Sequence, residues 1–333
     1  MKLDLGWGNS VCIRQAFLKT YRGTTLHNEI DLSKLDYPDR DGDKDLIEIT
    51  KKIIQRQIGK TYKHILLTNG ATGGVVISLR AYRQMGYEFC HTRKAPWYLR
   101  YPDMIRASGL LHYDETSRIS TDSVFLFDLP SNPLGLITIP SSSTVTSAIH
   151  SFIHKTPVII DGVYLNKVYA NNTVSIPTHE VMVGSYSKLL GMNGIRIGWI
   201  ATNDDLLYDR IKSLVIGEYC GLSVPSTEIL KSMLHNFEWQ EFETLARIYL
   251  DSNREEWSKL DKFFDGQPVT PIGMFHYASI DKKCKEMLEK ASITYTKGVD
   301  LGTDNGFGRF NMGQDRDIVK NAVQNMLKID RLK

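Results

Sequence analysis

The sequence has few cysteines, almost no excess of charge of either sign and no long apolar run, and each shortage excludes a class of protein. Four cysteines occur among the 333 residues, none of them in a Cys-x-x-Cys pair. They are Cys12, Cys90, Cys220 and Cys284. Scattered thiols argue against a disulfide framework or a zinc site and suit a reducing compartment. No apolar stretch approaches the roughly 18 residues that a transmembrane helix needs.

The charge balance points to no polyanionic partner. The chain has 41 basic and 38 acidic residues, a net charge of +3, and no run of five lysines or arginines. We therefore expect no direct nucleic-acid binding. Asp4 lies where a signal peptide would have its apolar core, which favours a cytoplasmic protein. A hydrophobic content of 42% over 333 residues predicts a soluble globular chain of about two domains.

Short apolar runs alternate with helical or polar segments over about residues 40–205. The first run, His64–Thr68, follows an amphipathic segment at 43–58 and leads into a glycine turn and a helical stretch ending near Met85. Similar runs occur at Val124–Phe127, Val158–Ile160, Val181–Val183 and Gly198–Ala201. Runs without polar alternation are typical of a parallel sheet covered on both faces. The pattern therefore predicts an α/β core.

From about residue 205 the pattern changes to long helical stretches at 204–216, 226–237 and 240–264. A strand-like segment at Phe275–Ile280 and a final helical stretch near 315–330 follow. This part predicts a smaller α+β unit after the core.

Polar side chains follow three of the strand-like runs where each run ends. Asp128 and Asp161 end two runs, and Lys188 follows the run at 181–183. Ligands of open parallel sheets bind at the carboxyl ends of strands. A lysine held there beside cationic groups can have a lowered pKa and act as an imine-forming amine. Asp161 would keep a ring nitrogen of a bound cofactor protonated.

The residues around Lys188 and the glycine turn fit a phosphate group. Arg196 supplies a fixed cation, and hydroxyl donors lie on either side of Tyr186. They are Ser185 and Ser187. The sequence Gly70-Ala71-Thr72 begins a helix, whose N-terminal N–H groups bind anions. An imine-forming lysine, a phosphate cradle and a pyridinium partner are what a pyridoxal phosphate site requires.

With these motifs the chain resembles the fold-type I pyridoxal-phosphate enzymes of the class I/II aminotransferase family, with closest similarity to the histidinol-phosphate aminotransferase branch. The resemblance covers nearly the whole chain. Its most specific motif is the lysine signature over residues 185–198. The supporting matches are the Tyr-Pro-Asp at 37–39, the helix start at 70–72, the Pro-x-Tyr-x-x-Tyr at 96–101, the Ser-Asn-Pro-Leu-Gly at 131–135, the Asp-x-x-Tyr at 161–164 and the strand at 308–313.

The resemblance assigns roles to individual residues. Tyr98 would stack on the pyridine ring, and Asn132 and Tyr164 would bind the phenolic oxygen of the cofactor. Arg309 would bind the α-carboxylate of the substrate. Tyr37 would reach the cofactor phosphate of the partner subunit, which implies a homodimer. Trp7, in the N-terminal segment, and Asn132 are further candidates to contact substrate.

The resemblance also implies the fold and the reaction. The expected fold is α/β, with a mostly parallel seven-stranded sheet covered by helices on both faces, plus a small α+β domain. The expected division is an N-terminal arm at 1–36, a cofactor domain at 37–215 and a linker helix with the small domain at 216–333. The expected activity moves an amino group between an α-amino acid and a 2-oxo acid by a ping-pong mechanism, with Lys188, Asp161 and Tyr164 as catalytic residues. No metal is expected.

Two departures and three alternatives stay open. Gly162, Gly73 and Gly74 replace larger residues that are common in the family. These glycines predict either a wider substrate pocket or only a slight trimming of its wall.

The same scaffold supports amino-acid decarboxylases and lyases, because fold does not determine chemistry. The glycine turn at 69–74 resembles that of short-chain dehydrogenases, but Val76 stands where a third glycine belongs and no Tyr-x-x-x-Lys follows. A catalytically silent protein is disfavoured by the retained lysine and arginines.

Overall fold

The computed structural model describes residues 2–22, 35–114, 116–117, 119–137, 156–170, 180–235, 237–265 and 268–332. The helices in these ranges are α1 Val11–Tyr21, α2 Lys44–Ile58, α3 Gly70–Gln84, α4 Tyr101–Ala107, α5 Tyr186–Leu189, α6 Asp205–Glu218, α7 Val224–Leu234, α8 Trp239–Ser258, α9 Lys282–Lys290 and α10 Arg316–Arg331. The strands are β1 Leu3–Asp4, β2 His64–Thr68, β3 Phe89–Thr92, β4 Leu111–Asp114, β5 Ser123–Asp128, β6 Val158–Asp161, β7 Glu180–Ser185, β8 Gly198–Thr202, β9 Phe275–Ser279, β10 Ile293–Thr294, β11 Thr296–Lys297 and β12 Phe307–Asn311.

Seven strands form the central sheet in the order β2-β8-β7-β6-β5-β3-β4. From β7 to β4 every pairing is parallel, whereas β8 runs antiparallel to both β7 and β2. The predicted mostly parallel sheet is confirmed. The apolar runs did not reveal β3 and β4. The residues of β4, at the sheet edge, are only partly buried or exposed, and β3 contains the polar residues His91 and Thr92.

The sheet is covered on both faces, which explains its unbroken apolar runs. β5 and β7 are buried at every position. Along β5, Leu126 contributes to one hydrophobic core and Phe127 to the other. Successive side chains of a strand point to opposite faces, so a strand between two helical layers needs apolar residues throughout.

Both ends of the chain meet in the second, smaller part of the structure. β1 pairs with β10, and β9, β11 and β12 form a three-stranded antiparallel sheet. α1 packs on α8, and α8 packs on α10. The predicted boundary at 215/216 falls inside α6, and the division into 1–36, 37–215 and 216–333 stays a prediction. Among the described helices, none combines the length and the apolar character needed to cross a membrane.

Candidate active site

A cavity of about 1020 Å³ opens at the carboxyl ends of β5, β6 and β7. It is lined by most of the residues that the sequence singles out: Trp7, Ala71, Thr72, Tyr98, Asn132, Asp161, Tyr164, Ser185, Ser187, Lys188, Arg196 and Arg309. Ligand pockets usually measure about 300–1,000 Å³. The cavity therefore has room for a cofactor and a substrate together.

Two predicted residues do not line the cavity. Gly70 lies directly behind it: a Cβ atom there would be 2.6 Å from Nη2 of Arg196, and its φ of +68° favours glycine. Tyr37 is 85% exposed and points to no part of the cavity of its own chain.

Lys188 projects from the short helix α5, immediately after β7. Its Nζ donates a hydrogen bond to the carbonyl oxygen of Gly8. Burial, followed by the positive charges of Arg309 and Arg196, lowers the pKa of the Lys188 amine from 10.5 to about 8, while Asp161 opposes this shift. The amine is therefore available as a neutral nucleophile or base near neutral pH.

The start of α3 and the turn after α5 form an anion-binding corner. The side chain of Asn69, the N-cap residue of α3, makes no capping hydrogen bond. Arg196 lies against this helix start, with Nη1 3.4 Å from the Ser187 hydroxyl. A helix N-terminus, a guanidinium and a hydroxyl together suit a phosphate group. The Ser185 hydroxyl donates to the Ile197 carbonyl at 3.1 Å, so its hydrogen is already used within the protein.

Asp161 ends β6 with its carboxyl group buried at the cavity wall. Burial raises its pKa to about 6, against the lowering effect of a hydrogen bond from Tyr101. The Tyr101 hydroxyl donates to Oδ2 of Asp161 at 3.0 Å. The motif at 96–101 predicts a role for Tyr98 alone, and its second tyrosine, Tyr101, is the residue that holds this carboxylate.

Arg309 is 3% exposed and reaches the cavity from β12. Its Nη1 donates to Oδ1 of Asn132 at 3.0 Å, and Nη2 donates to the carbonyl oxygen of Gly6 at 2.9 Å and to the Thr296 hydroxyl at 3.0 Å. The guanidinium lies 4.3 Å from the ring centre of Phe275. Among the described residues Nε has no hydrogen-bond partner. A buried guanidinium with a free N–H is suited to a carboxylate ligand.

Asp128, which ends a strand-like run in the sequence, is a second buried carboxyl group at the cavity. It pairs with Asp161 in the register of the neighbouring strands β5 and β6. Its Oδ2 accepts the backbone N–H of Asn132 at 2.7 Å. Burial raises the pKa of Asp128 to about 7. Asp128 thus holds the backbone of the asparagine whose side chain contacts Arg309.

Asn311, for which the sequence predicts no role, binds the N-terminal segment beside the cavity through two hydrogen bonds. Nδ2 of Asn311 donates to the carbonyl oxygens of Trp7 at 2.6 Å and of Asn9 at 2.8 Å. The side chain of Trp7 remains 70% exposed at the cavity rim. The only sequence signal was the asparagine within the C-terminal motif at 308–313, two residues after the arginine.

The glycines that depart from the family pattern do not line the cavity. A Cβ atom on Gly74 would be 2.8 Å from Cγ1 of Val183, and one on Gly162 would be 2.6 Å from Sδ of Met182. A Cβ atom on Gly73 would have nothing closer than Asn69 at 3.6 Å. Gly74 and Gly162 therefore permit close packing on β7, and the three glycines do not set the size of the pocket.

The residues present fit pyridoxal phosphate on their own chemistry. A Cβ atom at Gly70 would fill the space beside the guanidinium of Arg196, where this cation and the N–H groups at the start of α3 can bind a phosphate. Lys188 and Asp161 line the same cavity. Tyr98 lies at its wall, with its ring edge-on to Tyr101 at 5.4 Å.

The chain matches a known enzyme family over most of its length. The model of the aminotransferase class I and II family matches residues 12–326. The chain is 24% identical to (5-formylfuran-3-yl)methyl phosphate transaminase of Methanocaldococcus jannaschii, covering 81% of this chain and 76% of that protein. It is 23% identical to an aspartate aminotransferase of Pyrococcus abyssi, with 81% and 77% covered.

Solved structures share the fold at low sequence identity. A Methanococcus jannaschii protein, described as similar in its active site to kynurenine aminotransferases, superposes with a TM-score of 0.77 at 18% identity, over 99% of this chain and 92% of that one. An aromatic aminotransferase of Pyrococcus horikoshii superposes with a TM-score of 0.75 at 16% identity, over 99% and 96%.

Proposed function

Because this chain belongs to the class I and II aminotransferase family and is a pyridoxal-phosphate-dependent transaminase, we propose that it transfers an amino group between an α-amino acid and a 2-oxo acid, by ping-pong kinetics, through Lys188. The observation that supports this most is the partly buried amine of Lys188, with a pKa of about 8, in the same cavity as Asp161 and Arg309.

When bound, pyridoxal phosphate supplies a carbonyl that condenses with amines and a pyridinium ring that accepts electrons from the substrate Cα. In this proposal the first N–H groups of α3, at Ala71 and Thr72, bind its phosphate together with Ser187 and Arg196. Gly70 keeps the backbone close to Arg196. Ser185 holds the helix α5 in place, since its oxygen also accepts the N–H of Ser187 at 3.1 Å.

The other cavity residues would orient the ring. Asp161, held by Tyr101, keeps the ring nitrogen protonated and is itself stabilised as a carboxylate by that positive charge. Tyr98 covers one face of the ring by an offset aromatic contact. Asn132 and Tyr164 bind the phenolic oxygen, with Tyr164 fixed by an edge-on contact to Phe275 at 5.7 Å.

Substrate binding and proton transfer then involve Arg309 and Lys188. The substrate carboxylate binds the Arg309 guanidinium, where it takes the place of the Gly6 carbonyl oxygen. Nζ of Lys188 would leave the Gly8 carbonyl, remove the proton from the substrate Cα and deliver it to the carbon that came from the cofactor aldehyde. Trp7, at the rim, contacts the substrate side chain.

We further propose that the enzyme is a cytoplasmic homodimer. Tyr37 is exposed and does not line the cavity of its own chain, as expected of a residue that completes the site of a second copy. Its neighbour Pro38 packs closely against Gly221, because a Cβ atom on Gly221 would be 2.6 Å from the proline ring. The segment that carries Tyr37 therefore packs against this turn.

The decarboxylase and lyase alternative is not favoured by the family and the relatives found. The direct test mixes the purified holoenzyme with single amino acids and follows the cofactor spectrum. Conversion to the pyridoxamine form, reversed by a 2-oxo acid, is the expected result. Release of carbon dioxide or ammonia instead would overturn the proposal. Lys188→Ala should show no absorbance of lysine-bound cofactor and no turnover, and a fully active variant would contradict the role of Lys188.

A further inference from the structure

Tyr169 is a buried tyrosine beside the active site that the reaction described above does not use. It is 1% exposed and lies in the segment after β6. Its phenolic oxygen is 3.0 Å from the backbone carbonyl oxygen of Lys188 and 3.2 Å from the hydroxyl of Ser10. The phenol donates to the Lys188 carbonyl and is also within hydrogen-bond distance of the Ser10 hydroxyl, which itself donates to Sδ of Met274 at 3.6 Å.

Other contacts fix the position of this hydroxyl. The backbone carbonyl of Tyr169 accepts the N–H of Gly273 at 2.9 Å, which ties the segment to the chain entering β9. The ring of Tyr169 packs edge-on against Tyr164, with 5.3 Å between ring centres and an angle of 86°. Tyr169 thus contacts the lysine helix α5, the chain entering β9 and the N-terminal segment at once.

The hydroxyl of Tyr169 closes a ring of contacts around Lys188. The backbone of Lys188 is bonded to Tyr169, and its Nζ is bonded to the carbonyl oxygen of Gly8. Gly8 is two residues from Ser10, whose hydroxyl oxygen lies 3.2 Å from that of Tyr169. One phenol therefore contacts both the backbone from which the lysine side chain starts and the segment that receives its amine.

We propose that Tyr169 is a positioning residue that sets the distance between the Lys188 backbone and the N-terminal segment, and thereby the rate at which the Lys188 amine captures the cofactor aldehyde. To react, the amine must leave Gly8 and reach the aldehyde carbon; it then forms a C=N bond and one water is released. A side chain that starts from a fixed backbone loses less entropy in this step. This inference rests on the proposed function of Lys188.

The test compares two ligands on cofactor-free enzyme. Pyridoxal phosphate bonds to the lysine, whereas pyridoxamine phosphate has no aldehyde and uses only the noncovalent contacts. Tyr169→Phe removes one hydroxyl and keeps the ring. We expect capture of pyridoxal phosphate, followed by absorbance, to slow about tenfold, which is what one neutral hydrogen bond allows. The Kd for pyridoxamine phosphate should stay within about twofold.

Tyr82→Phe is the matched control, since Tyr82 is 4% exposed on α3 and does not line the cavity. It should change neither measurement. Equal losses for both ligands in Tyr169→Phe would mean a general structural role and overturn the proposal, as would an unchanged capture rate. Ser10→Ala tests the same ring of contacts if Tyr169→Phe does not fold. It should slow capture about twofold at an unchanged pyridoxamine phosphate Kd; an unchanged capture rate, or an equal loss of affinity for pyridoxamine phosphate, would refute the proposal.

Borohydride reduction followed by mass spectrometry separates this inference from the function on which it rests. Covalent labelling of Lys188 in the wild-type enzyme supports the proposed function whatever Tyr169 does. Covalent labelling of a residue other than Lys188 would overturn the proposed function, and with it the inference about Tyr169.

Discussion

The lowered pKa of Lys188 predicts how cofactor capture depends on pH. Burial, Arg309 and Arg196 lower the pKa of its amine from 10.5 to about 8, and Asp161 raises it. Only the neutral amine attacks an aldehyde. Capture of pyridoxal phosphate by cofactor-free enzyme should therefore rise with pH, about tenfold per pH unit, up to about pH 8, and level off above it.

The magnitude follows from the neutral fraction of the amine. At pH 7.5 an amine with a pKa of 8 is about one quarter neutral, whereas one with a pKa of 10.5 is neutral in about one molecule in a thousand. The site thus supplies a roughly 200-fold larger share of reactive amine at that pH. An enzyme without this shift would need strongly alkaline conditions to capture its cofactor at the same rate.

Substitutions of the charged neighbours should move the midpoint in opposite directions. Arg309→Leu removes a positive charge that disfavours the ammonium form, so the midpoint should rise above that of the wild type. Asp161→Asn removes a negative charge that favours the ammonium form, so the midpoint should fall. The assay is stopped-flow absorbance of capture from pH 6 to about 10.5, with Lys188→Ala as the blank. A wild-type midpoint near 10.5, or shifts of the same sign in both variants, would refute the electrostatic reasoning.

Three further predictions follow from individual contacts. Arg309→Ala should raise the KM for an amino acid about 100-fold with little change in cofactor Kd, because two charge-assisted hydrogen bonds to the carboxylate are lost; loss of cofactor instead would place Arg309 at the phosphate. Tyr101→Phe should raise the pKa of Asp161, since the lost hydrogen bond lowers it, and so move the acid limb of the kcat profile to higher pH; an unchanged limb would contradict this. Gly74→Ala should destabilise the protein by about 1–3 kcal/mol in urea unfolding, because its Cβ would lie 2.8 Å from Val183; Gly73→Ala, in the same helix with no close neighbour, is the control and should stabilise it by about 0.4–1 kcal/mol.

The sequence by itself determined the cofactor class and the main elements. The strands β2 and β5 to β8 were evident as unbroken apolar runs, because a strand buried on both faces has no polar alternation to obscure it. The lysine signature over residues 185–198 lies in one continuous stretch, so its parts are adjacent in sequence as well as in space. Local motifs of this kind need no tertiary information.

Only the tertiary structure decided which residues support that machinery. Lys188 meets Gly8 across 180 residues of sequence, and Arg309 meets Asn132 across 177. The second tyrosine of a predicted motif, Tyr101, proved to hold Asp161, and Tyr169 reached the lysine backbone from outside any motif. Such contacts depend on how helices and strands pack, and no periodicity or spacing along the chain records that arrangement.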